Sequence, residues 1–431
     1  MLRILVNLFQ KFRNIEIVKV FSFTALSTLV KMLTGFISVK IVATIIGPLG
    51  IALLGQLSNF TAIVMTLASG GINLGITKYI SEYKENDTKL KQLISTAFRI
   101  TTYSSLLCGV IMLVFSSFLS DTIFLTKDYS YVFIVFGFTV ILYALNMMLL
   151  SILNGFKHFK HFVKVNIANS ILGLVFTVFS VLIFGLGGAL VSAISYQSIM
   201  FFVTIWMLRE YPWFSREYFL GKLSNTTAKK YFNFSLMALT SAATVPVSQL
   251  FIRGYVIESI SAQDAGYWEA MNQLSNMYLM VITTSLSVYF LPTLSGLKDN
   301  KELKIEIYKA YKVIMPLLFI GLVLVYSLRY FIIDIIFTKE FIPMSNLFIW
   351  QITGDFFKIA GWLLAFNMLA KSMTKAFIAT EILFPTIFVI NSYLLVNWGG
   401  SVLGVTQAYL INKVLYFIVM LILFRKILIT K

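Results

Sequence analysis

A chain of 431 residues that is 58% apolar and only 12% charged has too little polar surface to cover a set of soluble domains. Its mean hydropathy of +0.86 places its core in a lipid bilayer. A net charge of +17 could suggest nucleic acid, but the charge is confined to alternate connections, which argues against that reading.

Arg3, Lys11, Arg13 and Lys19 precede the first long apolar run. No short apolar stretch ends in a small-residue cleavage site, so the run reads as an uncleaved first span. Segments of about 20 apolar residues, each enough to cross roughly 30 Å of hydrocarbon, recur at 20–43, 53–77, 96–119, 131–154, 162–184, 188–208, 232–256, 266–293, 313–333, 344–369, 374–396 and 401–424. Lys and Arg gather in the N-terminal arm, near 78–95, 155–161, 209–231, 294–312 and 370–375, and in the C-terminal tail. The intervening connections 44–52, 120–130, 185–187, 257–265, 334–343 and 397–400 are short and nearly free of them. The positive-inside rule then predicts an all-α, polytopic membrane protein of twelve transmembrane helices with both termini in the cytoplasm.

The lone Cys108 lies inside a span, so no disulfide framework is expected. His158 and His161 share one short connection, and no cluster has zinc-ligand spacing, so no metal or cofactor is expected. Gly47-Pro48-Leu49-Gly50 reads as a tight turn. Gly70, Gly71 and Gly75 permit close helix approach or bending, and Pro246 and Pro292 predict kinks or ends in their helices.

The chain also repeats itself. Gln56-Leu57-Ser58-Asn59 matches Gln273-Leu274-Ser275-Asn276, and Leu90-Lys91 matches Leu303-Lys304. Asn154-Gly155-Phe156-Lys157 corresponds to Leu369-Ala370-Lys371, and Gly187-Gly188 to Gly399-Gly400. Four matches in one order, at a nearly constant offset, predict two pseudo-symmetric six-helix lobes, 1–208 and 232–431, joined by a cytoplasmic linker at 209–231 and rocking about a central site.

Five cations lie within apolar segments: Lys31, Lys40, Arg253, Lys358 and Lys413. Each is a functional-site candidate, because a charge in hydrocarbon is costly unless it meets water or a partner. Lys31 lies near mid-membrane, too deep to reach the interface easily, whereas snorkelling would also explain Lys40 and Arg253. At the offset of the repeat, Lys40 corresponds to Arg253. Asp355 and Lys358 are three residues apart on one helical face and able to pair. Glu381 and Lys413 could each pair with a neighbouring helix. Asp355 and Glu269 are the candidates for ion coupling.

The segments STLVKMLTGFISVKIVATIIGPLGIALLGQLSN (27–59), FSLMALTSAATVPVSQLFIRGYV (234–256), SLSVYFLPTLSGL (285–297) and FIWQITGDFFKIAGWLLAFNMLAKS (348–372) resemble the Wzx-type flippases. These form the polysaccharide-transporter branch of the multidrug/oligosaccharidyl-lipid/polysaccharide exporter superfamily, and the likeness is closest to the branch serving lipid III of enterobacterial common antigen. The resemblance implies a MATE-like fold of two lobes around a central cavity, in the bacterial inner membrane. It also implies a function: moving an undecaprenyl-diphosphate-linked oligosaccharide from the cytoplasmic to the periplasmic leaflet. Its implied partners are that glycan, membrane lipids, a polysaccharide polymerase and a chain-length regulator, with no nucleic acid. Lys31, Lys40, Arg253, Asp355 and Lys358 occupy charged positions of that pattern, and Lys31, Lys40, Arg253, Lys358 and Lys413 are expected to bind diphosphate or acidic sugar.

With no GxxxxGK[ST] nucleotide loop, the driving force is expected to be an ion gradient or the membrane potential. The nearest rival is a multidrug exporter of the same superfamily, which would favour buried acid over base. A lipid II flippase would need fourteen spans. An enzyme that polymerises or ligates glycans would need catalytic groups on a long periplasmic loop, so no enzymatic activity is expected.

Overall fold

The structure, a computed structural model, describes residues 16–156, 159–221, 224–286, 294, 299–371 and 373–429; Pro292 and His158 fall outside them. The helix Glu16–Ala68 breaks at Gly47 (φ 62°, ψ −169°) into α1 (16–46) and α2 (48–68). Then follow α3 (Asn73–Tyr83), α4 (Asp87–Val114), α5 (Ser116–Phe124) and α6 (Ser130–Gly155). Phe159–Leu208 breaks at Gly185 (φ 55°, ψ −132°) into α7 (159–184) and α8 (186–208). The remaining helices are α9 (Arg216–Phe219), α10 (Asn225–Ser259), α11 (Ala262–Ser285), α12 (Asn300–Ser327), α13 (Arg329–Ile336), α14 (Phe348–Ala370), α15 (Thr374–Gly399), α16 (Leu403–Leu423) and α17 (Arg425–Ile429). The all-α class holds among the described residues. Twelve of these helices, α1, α2, α4, α6, α7, α8, α10, α11, α12, α14, α15 and α16, match the predicted spans one for one.

The breaks have local causes. Gly47 and Gly185 adopt left-handed backbone that a Cβ would strain. Pro48 then opens α2, where its missing N–H costs nothing. The predicted span 53–77 is interrupted at Gly70 and Gly71, both at φ 66°. There the Ser235 hydroxyl of α10 donates to the Gly70 carbonyl, and a Cβ on Gly71 would sit 3.0 Å from the Ser235 Cα. Of the kink or end expected at Pro246, the end does not occur, since α10 runs on through it. One expectation is corrected: His161 lies in α7, edge-on to Tyr211, rather than in a loop.

The chain divides into two compact units, residues 1–41 with 61–239 and residues 42–60 with 240–431. In the first, Ile76 and Ile80 on one face of α3, with Ile72 just before it, pack with Leu93, Leu149 and Ile152 from α4 and α6. Trp213 is buried in this core and stacks on Phe156. In the second, α14 lies close against α16. A Cβ on Gly354 would meet the Tyr409 ring at 2.5 Å, and one on Gly361 the Tyr416 ring at 2.6 Å. The seven-residue spacing of both pairs sets two rings into two gaps on one helical face. Gly354→Ala is expected to cost about 1–3 kcal/mol through overpacking, measured by chemical denaturation of the purified chain. An unchanged midpoint would refute the close packing.

Large apolar side chains stay exposed in both units, including Phe138 (68%) and Leu317 (67%). Water would not tolerate so many. Among the described residues seven helices, with 27–68 and 161–208 each counted once, are long and apolar enough to cross a membrane.

Candidate functional site

The first unit holds a polar cavity of about 370 Å³. Two stripes build it. Thr28, Lys31, Thr34, Gly35 and Ser38 recur along α1, and Asn166, Asn169, Ser170, Gly173 and Thr177 along α7, both at the three-to-four-residue spacing that puts side chains on one face. Tyr196 and Gln197 of α8 complete the wall.

Behind it the buried Asn146 of α6 donates to Gln197 Oε1 (3.1 Å) and accepts from Thr204 (2.7 Å), while Gln197 Nε2 donates to the Tyr196 hydroxyl (2.9 Å). This chain of satisfied bonds fixes two wall side chains before any ligand arrives. Among the described residues Asn169 Oδ1 in the wall has no hydrogen-bond partner. Lys31 is exposed to the cavity, and among the described residues its ammonium has no ion-pair partner. Among the described residues it is the one charged side chain in the lining. Lys40 lies further along α1, half-buried and outside that lining.

The second unit treats its charges differently. Among the described residues the buried charged side chains are Arg253, Glu269 and Asp355, all of them in this unit. Arg253, fully buried on α10, is ion-paired to Glu269 of α11. It also donates to Gln56 Oε1 (3.4 Å) and rests on the Trp268 ring (5.3 Å). Gln273 donates to the other Glu269 oxygen (3.1 Å). The two glutamines of the repeated Gln-Leu-Ser-Asn motif thus bracket one ion pair.

Gly55 is required beside it, since a Cβ there would lie 2.6 Å from the Glu269 carboxyl carbon. Gly55→Ala is expected to push the carboxylate off Arg253 and reproduce most of the stability loss of Glu269→Gln. A wild-type denaturation midpoint would refute it. Trp268 is buried, its ring under the Arg253 guanidinium.

Asp355 differs from its sequence expectation. Its carboxylate accepts hydroxyl hydrogens from Ser275 (2.7 Å) and Tyr278 on one oxygen and from Tyr409 (2.8 Å) on the other. Among the described residues no ion pair joins it to Lys358. The hydroxyls arrive from α11 and α16 and fill the carboxylate, while the Lys358 ammonium lies over the Trp362 ring one turn on (5.5 Å). Lys413 lies over Tyr409 (5.2 Å) and within electrostatic reach of Lys358, Asp355 and Glu381.

Sequence reading missed Ser275, Tyr278 and Tyr409, and the asparagines of α7. The α7 stripe was visible as polar residues at helical spacing.

Comparison with known proteins places the chain. Residues 17–298 match the model of the polysaccharide biosynthesis protein family. The chain belongs to that family. It is 28% identical over 394 residues to proteins called lipid III flippase in Escherichia coli (strain K12) and Shigella flexneri, covering 91% of this chain and 94% of each of theirs. Among solved structures it resembles an inward-facing multidrug resistance MATE family transporter of the MOP superfamily (TM-score 0.72, 13% identity, 93% of this chain and 94% of that one). It also resembles the lipid II flippase MurJ in an inward closed conformation (TM-score 0.69, 15% identity, 95% of this chain and 87% of that one). At such identities these two structures establish the fold, and this polysaccharide biosynthesis family member shares it.

Proposed function

We propose that this protein is a flippase that moves an undecaprenyl-diphosphate-linked oligosaccharide from the cytoplasmic to the periplasmic leaflet of the bacterial inner membrane by alternating access, with both termini cytoplasmic. The observation that carries the proposal is the polar cavity with the unneutralised Lys31 ammonium. A diphosphate loses its hydration on entering a low-dielectric region, and a fixed cation restores part of that stabilisation. Hydroxyl and amide side chains around it suit the donors and acceptors of a sugar. A cationic drug would meet Lys31 as a like charge.

Lys40, Lys358 and Lys413 are proposed as further contacts for diphosphate or acidic sugar. Arg253 is proposed to join them when Glu269 takes up a proton, because the protonated acid no longer neutralises the guanidinium. Proton entry then couples to phosphate binding, and Asp355, facing Lys413, is the second candidate for coupling.

The test is translocation of a lipid-linked oligosaccharide in vesicles containing the purified chain. Lys31→Glu is expected to lower the rate at least tenfold, and Lys31→Arg to retain most of it. A Lys31→Glu protein that transports at the wild-type rate would sink the proposal, as would a protein that moves cationic dyes and no lipid-linked glycan.

A further inference from the structure

A groove of about 1010 Å³ runs along α12 in the second unit, distinct from the sites above. One end carries Lys304, Lys309 and Lys312; the other is apolar, with Pro316, Phe319 and Phe356 in its lining. Lys312 immediately precedes the predicted span at 313–333, so the basic end lies where the helix enters the hydrocarbon. Phe319, seven residues on, lies about 10 Å deeper along the helix.

The groove is held open by its own packing. The Tyr311 hydroxyl of α12 donates to the Ala360 carbonyl of α14, and Phe319 stands edge-on to Phe356 with centroids 6.3 Å apart. The adjoining face of α12 is bare, with Val313 and Leu317 both 67% exposed. In a membrane that face meets lipid chains.

Lys309, with a side chain 68% exposed, is ion-paired at 3.6 Å with Glu306 one turn back on α12, and Lys312 has no ion-pair partner among the described residues. Cations at the interface continuous with an aromatic trough below it match a molecule with a phosphate head and a long apolar chain. Neither feature alone would hold one: an exposed lysine pair is screened by salt, and an apolar trough accepts any lipid.

We propose that this groove is a binding site for an anionic phospholipid of the surrounding leaflet, its phosphate between Lys309 and Lys312 and an acyl chain against Phe319 and Phe356. The site stands on α12 and α14 alone and does not depend on the translocation reading.

Native mass spectrometry of the full chain, titrated with phosphatidylglycerol and with phosphatidylcholine of the same chains, tests it. Wild type is expected to retain phosphatidylglycerol preferentially. Removing two interfacial lysines in Lys309→Gln/Lys312→Gln is expected to weaken that binding roughly 30-fold, at about tenfold per 1.4 kcal/mol and about 1 kcal/mol per lysine. Lys309→Arg/Lys312→Arg should retain it, and so should Lys127→Gln/Lys339→Gln, which removes equal charge from exposed positions elsewhere. Glycerol phosphate, the head without the chain, should not displace the lipid. The proposal is overturned if Lys309→Gln/Lys312→Gln binds within twofold of wild type, if Lys127→Gln/Lys339→Gln loses as much, or if glycerol phosphate competes.

Discussion

Arg253→Met is expected to lower the stability of the protein by about 3–5 kcal/mol, the cost of leaving the other member of a buried ion pair without its partner. Arg253 is fully buried, Glu269 has a side chain only 11% exposed, and among the described residues Gln273 would be left as the donor to the carboxylate. Glu269→Gln alone should be costly for the converse reason, because a guanidinium enclosed by Trp268 and Gln56 would keep its charge without a counter-ion. Combining the two changes removes both charges and should recover most of the loss, since a buried pair is often worth little more than an apolar replacement of similar volume. Chemical denaturation of the four proteins in micelles gives the coupling directly as a double-mutant cycle. Additive losses in the double variant would show that the two charges do not stabilise one another.

The second large effect separates two roles of Asp355. Asp355→Ala leaves the hydroxyls of Ser275, Tyr278 and Tyr409 without their acceptor, at about 1–3 kcal/mol for each donor that finds no replacement. The variant should therefore be destabilised by several kcal/mol. Asp355→Asn keeps the volume and a carbonyl oxygen for the Ser275 and Tyr278 hydroxyls. Its amide can face Tyr409, whose hydroxyl also accepts, so most of the stability should remain. The negative charge beside Lys413 is nonetheless gone. If Asp355 takes part in ion coupling, Asp355→Asn should transport with a flattened dependence on the imposed proton gradient. A variant as unstable as Asp355→Ala, or one with wild-type coupling, would assign Asp355 to structure alone.

These two sites show how far a linear reading reaches. The three-residue spacing of Asp355 and Lys358 places them on one face, and the pairing expected from it does not form. Helical spacing states which side chains share a face and is silent about Ser275 and Tyr278 arriving from α11 or Tyr409 from α16. The repeated Gln-Leu-Ser-Asn motif was visible as a repeat. Its chemistry was not, because Gln56 and Gln273 are joined only through Arg253 and Glu269, and Ser275 serves a different carboxylate. On α1, Lys31 stood out as a cation in an apolar run. Its neighbours on α7 lie more than a hundred residues away, and their polar stripe carries no charge to draw attention.

What the amino-acid sequence determined by itself is the solvent of this protein, the twelve helices and the breaks at Gly47 and Gly185. Apolar run length, the alternation of basic connections and the left-handed preference of glycine at Gly47 and Gly185 are all properties of short stretches of chain. Only the tertiary structure decided which cations remain available. Electrostatic energy in a low-dielectric interior changes steeply over a few ångströms, and those distances are set by packing between helices remote in sequence. Gly55 lets α2 lie against Glu269, and Glu269 neutralises Arg253. Among the described residues no carboxylate pairs with Lys31 in its polar cavity, and that could not be read from the order of residues.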